Sequence, residues 1–367
     1  MGENLKIINV VGARPNFMKI APIQREMKKY NNITPVLVHT GQHYDEKMSK
    51  LFFQDLELPE PDVYLNIGSA SHAVQTAKIM IEFEKVLESE KPDLILVVGD
   101  VNSTAACSMV AAKMGVKIGH VEAGLRSFDR NMPEEINRII TDALSDYLFV
   151  TEQSGLDNLK HEGIDDSKVF FTGHVMIDSL IYFLEKSKKS NIINEMKLDG
   201  TPYVLVTLHR PSNVDSKTNL ENLLNAFESV GKHLKIIFPI HPRTKKMIST
   251  FGLDSKVSAN ENLILTDPIG YLDFMKLMQN AKLLLTDSGG IQEETTYLGI
   301  PCITMRENTE RPSTVEIGTN IIVGSDTNRI VTETEKIIQG KGKKGQIPDL
   351  WDGKAAERIV SIIANKC

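Results

Sequence analysis

Leu94-Ile95-Leu96-Val97-Val98-Gly99-Asp100-Val101-Asn102-Ser103-Thr104 is the stretch on which the fold turns. Its five leading apolar residues are too few for a helix, and they lack the polar alternation of a half-buried strand. They read as a strand covered on both faces. Gly99-Asp100 then breaks the run, and small residues from position 103 to 114 continue as a helix. Strand, tight turn and helix make up the repeating unit of a parallel sheet.

The same unit recurs on both sides. Apolar runs at residues 7–11, 34–39, 117–121, 147–150 and 169–172 predict further strands, with helices over 17–30 and 73–88. The series restarts near Tyr203, after a stretch at 186–200 rich in Lys, Ser and Asn. There the runs at 203–207, 235–239, 263–266, 283–286, 302–305 and 321–323 predict strands, with helices over 220–230 and 271–279. The restart predicts two doubly wound α/β domains, each Rossmann-like, in which ligands bind beyond the carboxyl ends of the strands. A chain of 367 residues is too long for one ordinary core and suits two. The first domain is expected over residues 1–175 and the second over 176–353.

Composition narrows the function. The formal net charge of −6 argues against nucleic acid as a partner. No apolar run reaches the ~20 residues of a membrane span, and Met1-Gly2-Glu3-Asn4-Leu5-Lys6 lacks the zones of a secretory leader, so a cytoplasmic protein is expected. Cys107, Cys302 and Cys367 are scattered and lack metal-ligand spacing. Cys107 and Cys302 are expected as buried thiols, and no structural metal is expected.

The residues just after the strands carry the chemistry. Gly12-Ala13-Arg14-Pro15-Asn16, followed by Lys19, places two cations at a helix start, either as a phosphate site or as solvated charges on a turn. Asp100 is open to two readings, a helix N-cap or a catalytic carboxylate. Glu122, in His120-Val121-Glu122-Ala123-Gly124-Leu125-Arg126, is poorly placed for a mere surface charge. Glu134 and Glu135 open a helix after Pro133, where the dipole alone favours acids. Three strand-end segments thus bring carboxylates to one rim, as acid/base chemistry at carbon requires.

The second half offers anion-binding groups instead. His209-Arg210 and His241-Pro242-Arg243 each follow a strand. Thr286-Asp287-Ser288-Gly289-Gly290-Ile291-Gln292-Glu293-Glu294 precedes a helix, so that the Ser288 hydroxyl and the amides around Gly289 and Gly290 can hold a diphosphate. Glu294 could accept ribose hydroxyls, and Arg311 could complete the charge pairing. A nucleoside diphosphate sugar fits both halves.

Taken in order, these segments, with Asn137-Arg138, Thr207-Leu208-His209-Arg210 and Glu310-Arg311-Pro312, resemble the non-hydrolysing UDP-N-acetylglucosamine 2-epimerases over about residues 7–358. The resemblance implies a glycosyltransferase-B-like fold whose two domains face each other across a cleft. It implies a homodimer that interconverts UDP-GlcNAc and UDP-ManNAc for cell-surface polysaccharide, with no cofactor and no required metal. It also implies a last helix, over 354–367, that returns to the first domain. By position it carries the catalytic roles to Asp100, Glu122, Glu134 and His209. Substrate contacts fall on Arg14, Lys19, Arg138, His241, Ser288, Gly289, Gly290, Glu294 and Arg311. The chain departs from the pattern at Ser212, where the family often has Glu. Gln42 and His43 match the region where bacterial relatives bind a second UDP-GlcNAc as activator, but the segment 68–72 lacks the expected arginine. A UDP-sugar glycosyltransferase, a hydrolysing epimerase and a non-catalytic UDP-sugar sensor are the rival readings.

Overall fold

A computed structural model describes residues 4–42 and 60–366; the Arg14 side chain, His43 and Cys367 lie outside the described part. The chain divides into two compact units, Met1–Ser179 with Asp349–Cys367, and Leu180–Pro348. The first unit holds a sheet of β1 (Leu5–Val11), β2 (Ile33–His39), β3 (Val63–Tyr64), β4 (Leu94–Val98), β5 (Lys117–Ala123), β6 (Tyr147–Val150) and β7 (Val169–Phe171). Their order is β3-β2-β1-β4-β5-β6-β7, every described pair being parallel. The second unit holds β8 (Tyr203–Thr207), β9 (Lys235–Pro239), β10 (Leu263–Thr266), β11 (Leu283–Thr286), β12 (Cys302–Thr304) and β13 (Asn320–Ile322). Their order is β10-β9-β8-β11-β12-β13, again all parallel.

Each order reverses once, between β1 and β4 in one sheet and between β8 and β11 in the other. Right-handed crossovers on either side of that reversal send helices to opposite faces, which explains the unbroken apolar strands. One face of the first sheet packs Ile8, Val10, Val36, Ile95 and Val97 against Ile79, Phe83, Ala106, Cys107 and Val110. In the second unit Val204, Val206, Ile236, Phe238 and Leu285 pack against Leu220, Leu223, Leu224 and Phe227 of the helix Lys217–Gly231. Cys107 and Cys302 are buried free thiols in these interiors, and burial holds both well above the ordinary thiol range.

Two departures from the sequence expectation have local causes. The short edge strand β3 is only two residues long and carries no period of its own. β5 continues two residues past its apolar run because a bulge at Val121/Ala123 lets the strand resume beyond Glu122. The chain after Asp349 belongs to the first unit: the helix Ala355–Lys366 packs on the helix Arg14–Met27. Asp178 caps it by accepting from the amides of Ala355 (3.2 Å) and Ala356 (2.7 Å). Buried Trp351 donates its indole N–H to the Thr151 carbonyl at 3.1 Å. The returning chain passes so close to Gly173 that a Cβ there would lie 2.1 Å from the Leu350 carbonyl oxygen.

His39, at the end of β2, is 1% exposed and stacked on Phe17 and Tyr64, with ring centroids 5.1 and 5.5 Å away. Burial lowers its pKa to about 4. As pH falls below the unfolded value near 6.5, the unfolded chain takes a proton that the folded chain refuses. Stability should therefore be intact above about pH 6.5 and decline towards pH 4, by up to roughly 3 kcal/mol. Denaturant titrations across this range should show the decline, and His39→Phe should flatten it.

Candidate active site

The reversal in the first sheet brings the ends of β1, β4 and β5 together. Gly99 follows β4 in the left-handed region (φ 66°), and a Cβ there would come within 3.1 Å of the Lys19 ammonium nitrogen and 3.8 Å of Glu122 Oε2. Glu122 sits at the bulge with φ 72°, a conformation that costs a non-glycine residue on the order of 1–3 kcal/mol. Its side chain is buried, with Oε2 at 2.5 Å from Lys19 Nζ and Oε1 at 3.8 Å from His174 Nδ1. Lys19, expected as a phosphate contact, is thus buried and ion-paired with Glu122.

The two readings of Asp100 separate cleanly. The N-cap of the helix Asn102–Met114 is Val101, so Asp100 does not cap it. Instead Asp100 Oδ2 lies 3.0 Å from Nε and 2.9 Å from Nη2 of Arg138, and the side chain stays 30% exposed. Arg138 is buried and also pairs with Glu135. Glu135 in turn accepts the amides of Ser127 and Phe128, both at 2.9 Å. The adjacent glutamates of the helix Pro133–Leu144 therefore part company. Glu135 is buried and spends both oxygens on the loop and Arg138, whereas Glu134 is part-exposed and forms no ion pair among the described residues. The carboxylates of Asp100 and Glu134 are accessible; that of Glu122 is sunk beside a lysine.

Beneath these groups runs a buried charge network that the sequence alone did not single out. His120 Nε2 donates to the Gly99 carbonyl at 2.9 Å, and its Nδ1 lies 2.6 Å from Asp142. Asp142 also meets Arg126 at 2.7 Å and accepts the Gly124 amide at 3.0 Å, while Arg126 reaches Glu162. Burial pushes the Asp142 carboxyl up, but the neighbouring imidazole and guanidinium outweigh it and hold the group below the usual range. One network thereby fixes both the turn before Asp100 and the strand end after Glu122. Its members Asp142 and Glu162, like the His174 beside Glu122, lie at distant sequence positions and carry no local signal.

In the second unit the reversal joins the ends of β8 and β11. His209 follows β8; its Nδ1 lies 3.0 Å from Oδ1 of the fully buried Asp287, which follows β11. The His241 ring is 5.7 Å from that of His209. His241 Nδ1 accepts the Arg243 amide at 3.2 Å, which caps the helix Pro242–Thr250. Burial first, and then the His209 charge, lower the His241 pKa.

Ser288 is the N-cap of the helix Gly289–Leu298 and its side chain makes no capping bond there. A Cβ on Gly290 would touch nothing, whereas one on Gly289 would come within 3.1 Å of Glu310 Oε1. The helix start is thus open at Gly290, with the Ser288 hydroxyl beside it, as an anion site requires. Glu294 is buried and accepts the Tyr271 hydroxyl at 3.0 Å, a partner the sequence did not reveal. Arg311, expected to pair with phosphate, is buried in an ion pair with Glu293, and Arg306 pairs with Glu310 at 2.9 Å. Gln42 is buried and accepts from the Ser103 amide and hydroxyl.

A sequence profile of the family described as UDP-N-acetylglucosamine 2-epimerase matches residues 25–364. The chain is 46% identical over 365 residues to the UDP-N-acetylglucosamine 2-epimerase of Methanocaldococcus jannaschii, covering 98% of this chain and 99% of that one. It is 39% identical over 367 residues to the UDP-2,3-diacetamido-2,3-dideoxy-D-glucuronate 2-epimerase of Pseudomonas aeruginosa, covering 98% and 99%. The crystal structure of the M. jannaschii enzyme in complex with UDP-GlcNAc and UDP superposes with a TM-score of 0.90 at 44% identity, over 98% of this chain and all of that one. The fold likeness extends to a lipopolysaccharide outer core galactosyltransferase at TM-score 0.58 and 13% identity.

Removing one member of the Lys19–Glu122 pair strands a buried charge. Lys19→Met should cost about 3–5 kcal/mol of stability, and Lys19→Met with Glu122→Gln should recover most of it. Urea unfolding of the two single variants and the double closes the cycle; additive losses would mean that the two charges do not interact.

Proposed function

Because the chain belongs to the UDP-N-acetylglucosamine 2-epimerase family, we propose that it interconverts UDP-GlcNAc and UDP-ManNAc without hydrolysis. The observation that carries the reading is the division of labour between the units. One ends its strands in carboxylates, and the other ends them in histidines and an open helix start.

The C2–H of the sugar is not adjacent to a carbonyl, so a carboxylate cannot remove it from the ground state. Cleavage of the anomeric C1–O bond comes first or runs ahead: UDP leaves with the bonding pair, and C1 gains oxocarbenium character. The C2 proton passes to a carboxylate, the C–H pair becomes the C1=C2 bond, and 2-acetamidoglucal results. A second acid then protonates C2 on the opposite face as UDP returns to C1. Proton and leaving group both come back, so the cycle is redox-neutral and calls for no electron acceptor.

Asp100 and Glu134 are the exposed candidates for the two proton transfers. Glu122, held in place against Lys19, is suited to stabilising the positive charge at C1. The diphosphate is received by Ser288 and the amides of Gly289 and Gly290, with His209 and His241 alongside. Glu294, braced by Tyr271, is placed for ribose hydroxyls. The working form is proposed as a cytoplasmic homodimer that supplies cell-surface polysaccharide. The Pseudomonas relative carries out C2 epimerisation on a different UDP-sugar, so the nucleotide is the shared element and the substituents at C3 and C5 are the variable ones.

Proton NMR of UDP-GlcNAc with the purified protein in deuterium oxide, without an acceptor, tests this. UDP-ManNAc should appear, with deuterium at C2 of both sugars. Asp100→Asn and Glu134→Gln should each lower kcat by roughly 100-fold or more while UDP still binds. Unlabelled product would end the elimination mechanism. Free ManNAc would mark a hydrolase, and no turnover of UDP-GlcNAc beside turnover of the diacetamido-glucuronate would reassign the sugar.

A further inference from the structure

Asp287 takes no part in the steps just written, yet it lies directly beneath the imidazole that does. Its Oδ2 accepts the amides of His209 (2.9 Å) and Arg210 (2.8 Å), which pins the turn after β8 to the end of β11. Asn213 Nδ2 approaches the same oxygen at 3.4 Å and donates at 2.8 Å to the Met305 carbonyl, closing the turn from below. Oδ1 is different. It is buried and accepts no backbone amide among the described residues, and the His209 Nδ1 lies 3.0 Å from it. A desolvated carboxylate oxygen in that position draws the ring proton to Nδ1.

We infer that Asp287 is a positioning residue for His209, fixing its proton on Nδ1 and turning Nε2 outward. The inference rests on the reading that His209 acts on the departing diphosphate. Asp287 itself stays ionised: burial pushes its carboxyl up, but the hydrogen bond and charge of His209 and the two amides bring it below the usual range.

The neighbouring imidazole is set the opposite way. His241 uses Nδ1 to accept a backbone amide, so that nitrogen carries no proton and the ring is neutral. A cationic His209 at 5.7 Å between ring centres disfavours a second cation there. The other charges nearby are committed: Arg210 approaches Glu310 at 3.9 Å, and Arg243 pairs with Asp215. Of two adjacent histidines, one is therefore prepared to carry a proton to the leaving β-phosphate oxygen. The other is prepared only to donate a neutral hydrogen bond from Nε2.

Asp287→Asn isolates this role. The amide oxygen can still accept the two backbone N–H groups, so the turn survives, but its NH2 faces Nδ1 and forces the proton to Nε2 on a neutral ring. The expected result is a kcat lower by roughly 10- to 100-fold, with KM changed by less than about threefold. The alkaline limb of the kcat profile should move to lower pH. In a His209→Gln background the same substitution should cost nothing further. Independently of any variant, the wild-type protein should show a downfield Nδ1–H proton resonance that His209→Gln removes.

A wild-type kcat and pH profile in folded Asp287→Asn, additive losses in the double variant, or absence of the resonance would each overturn the inference. Failure of the wild-type protein to epimerise any UDP-sugar would instead sink the functional reading, and the resonance would still decide whether the pair exists.

Discussion

A parallel sheet wound outward from its middle cannot cover the carboxyl ends of the two strands where the winding reverses, because the crossover helices leave in opposite directions. That gap is a geometric necessity of the topology. In this chain it occurs twice, and both times polar residues gather just beyond the paired strands. Beyond β1 and β4 lie Asp100 and, from the first helix, Lys19; beyond β8 and β11 lie His209, Asp287 and Ser288. The apolar strands thus do more than form a core. They set the register, Thr207 against Thr286 for instance, that brings His209 and Asp287 side by side although 78 residues separate them along the chain.

Both sites spend much of their charge on holding other charge. Arg138 bridges Asp100 and Glu135, Lys19 lies on Glu122, Arg311 on Glu293 and Arg306 on Glu310. Such pairs add little net stability, since desolvation offsets most of the attraction. What they supply is direction, because a guanidinium fork fixes a carboxylate in angle as well as distance. The network from His120 through Asp142 and Arg126 to Glu162 does the same one layer deeper. It allows acidic groups to crowd a strand end without forcing the loops apart.

The sheets were legible in the sequence because buried parallel strands are continuous apolar runs with sharp ends, and twelve of the thirteen described strands coincide with such runs. The missing one, Val63–Tyr64, is too short to have a pattern. The rims were legible for a related reason: a polar residue just after an apolar run has little choice of place. Partners were not. Nothing near Asp142 or His174 in sequence announces a link to His120 or Glu122, and nothing in Pro133-Glu134-Glu135 says which glutamate turns inward. Lys19 and Arg311 show the limit most clearly. Read alone they are free cations beside a phosphate site, and only the fold shows an acid across from each. The same limit hid Asp287, which local reading made part of a glycine-rich turn.

The left-handed backbone at Glu122 bears on how this protein can drift. At φ 72° the position penalises every side chain relative to glycine, and Asn or Asp less than most. Most substitutions there would keep the backbone penalty and strand the buried Lys19 charge, and glycine would relieve the first only to leave the second. A lineage freed from selection for turnover would be expected to keep both charges or to shed both together, since either alone is buried without its partner. The glutamate and the lysine are thus a single inherited unit, and it is the exposed acid Asp100, free of that bond, whose loss a fold could bear more easily.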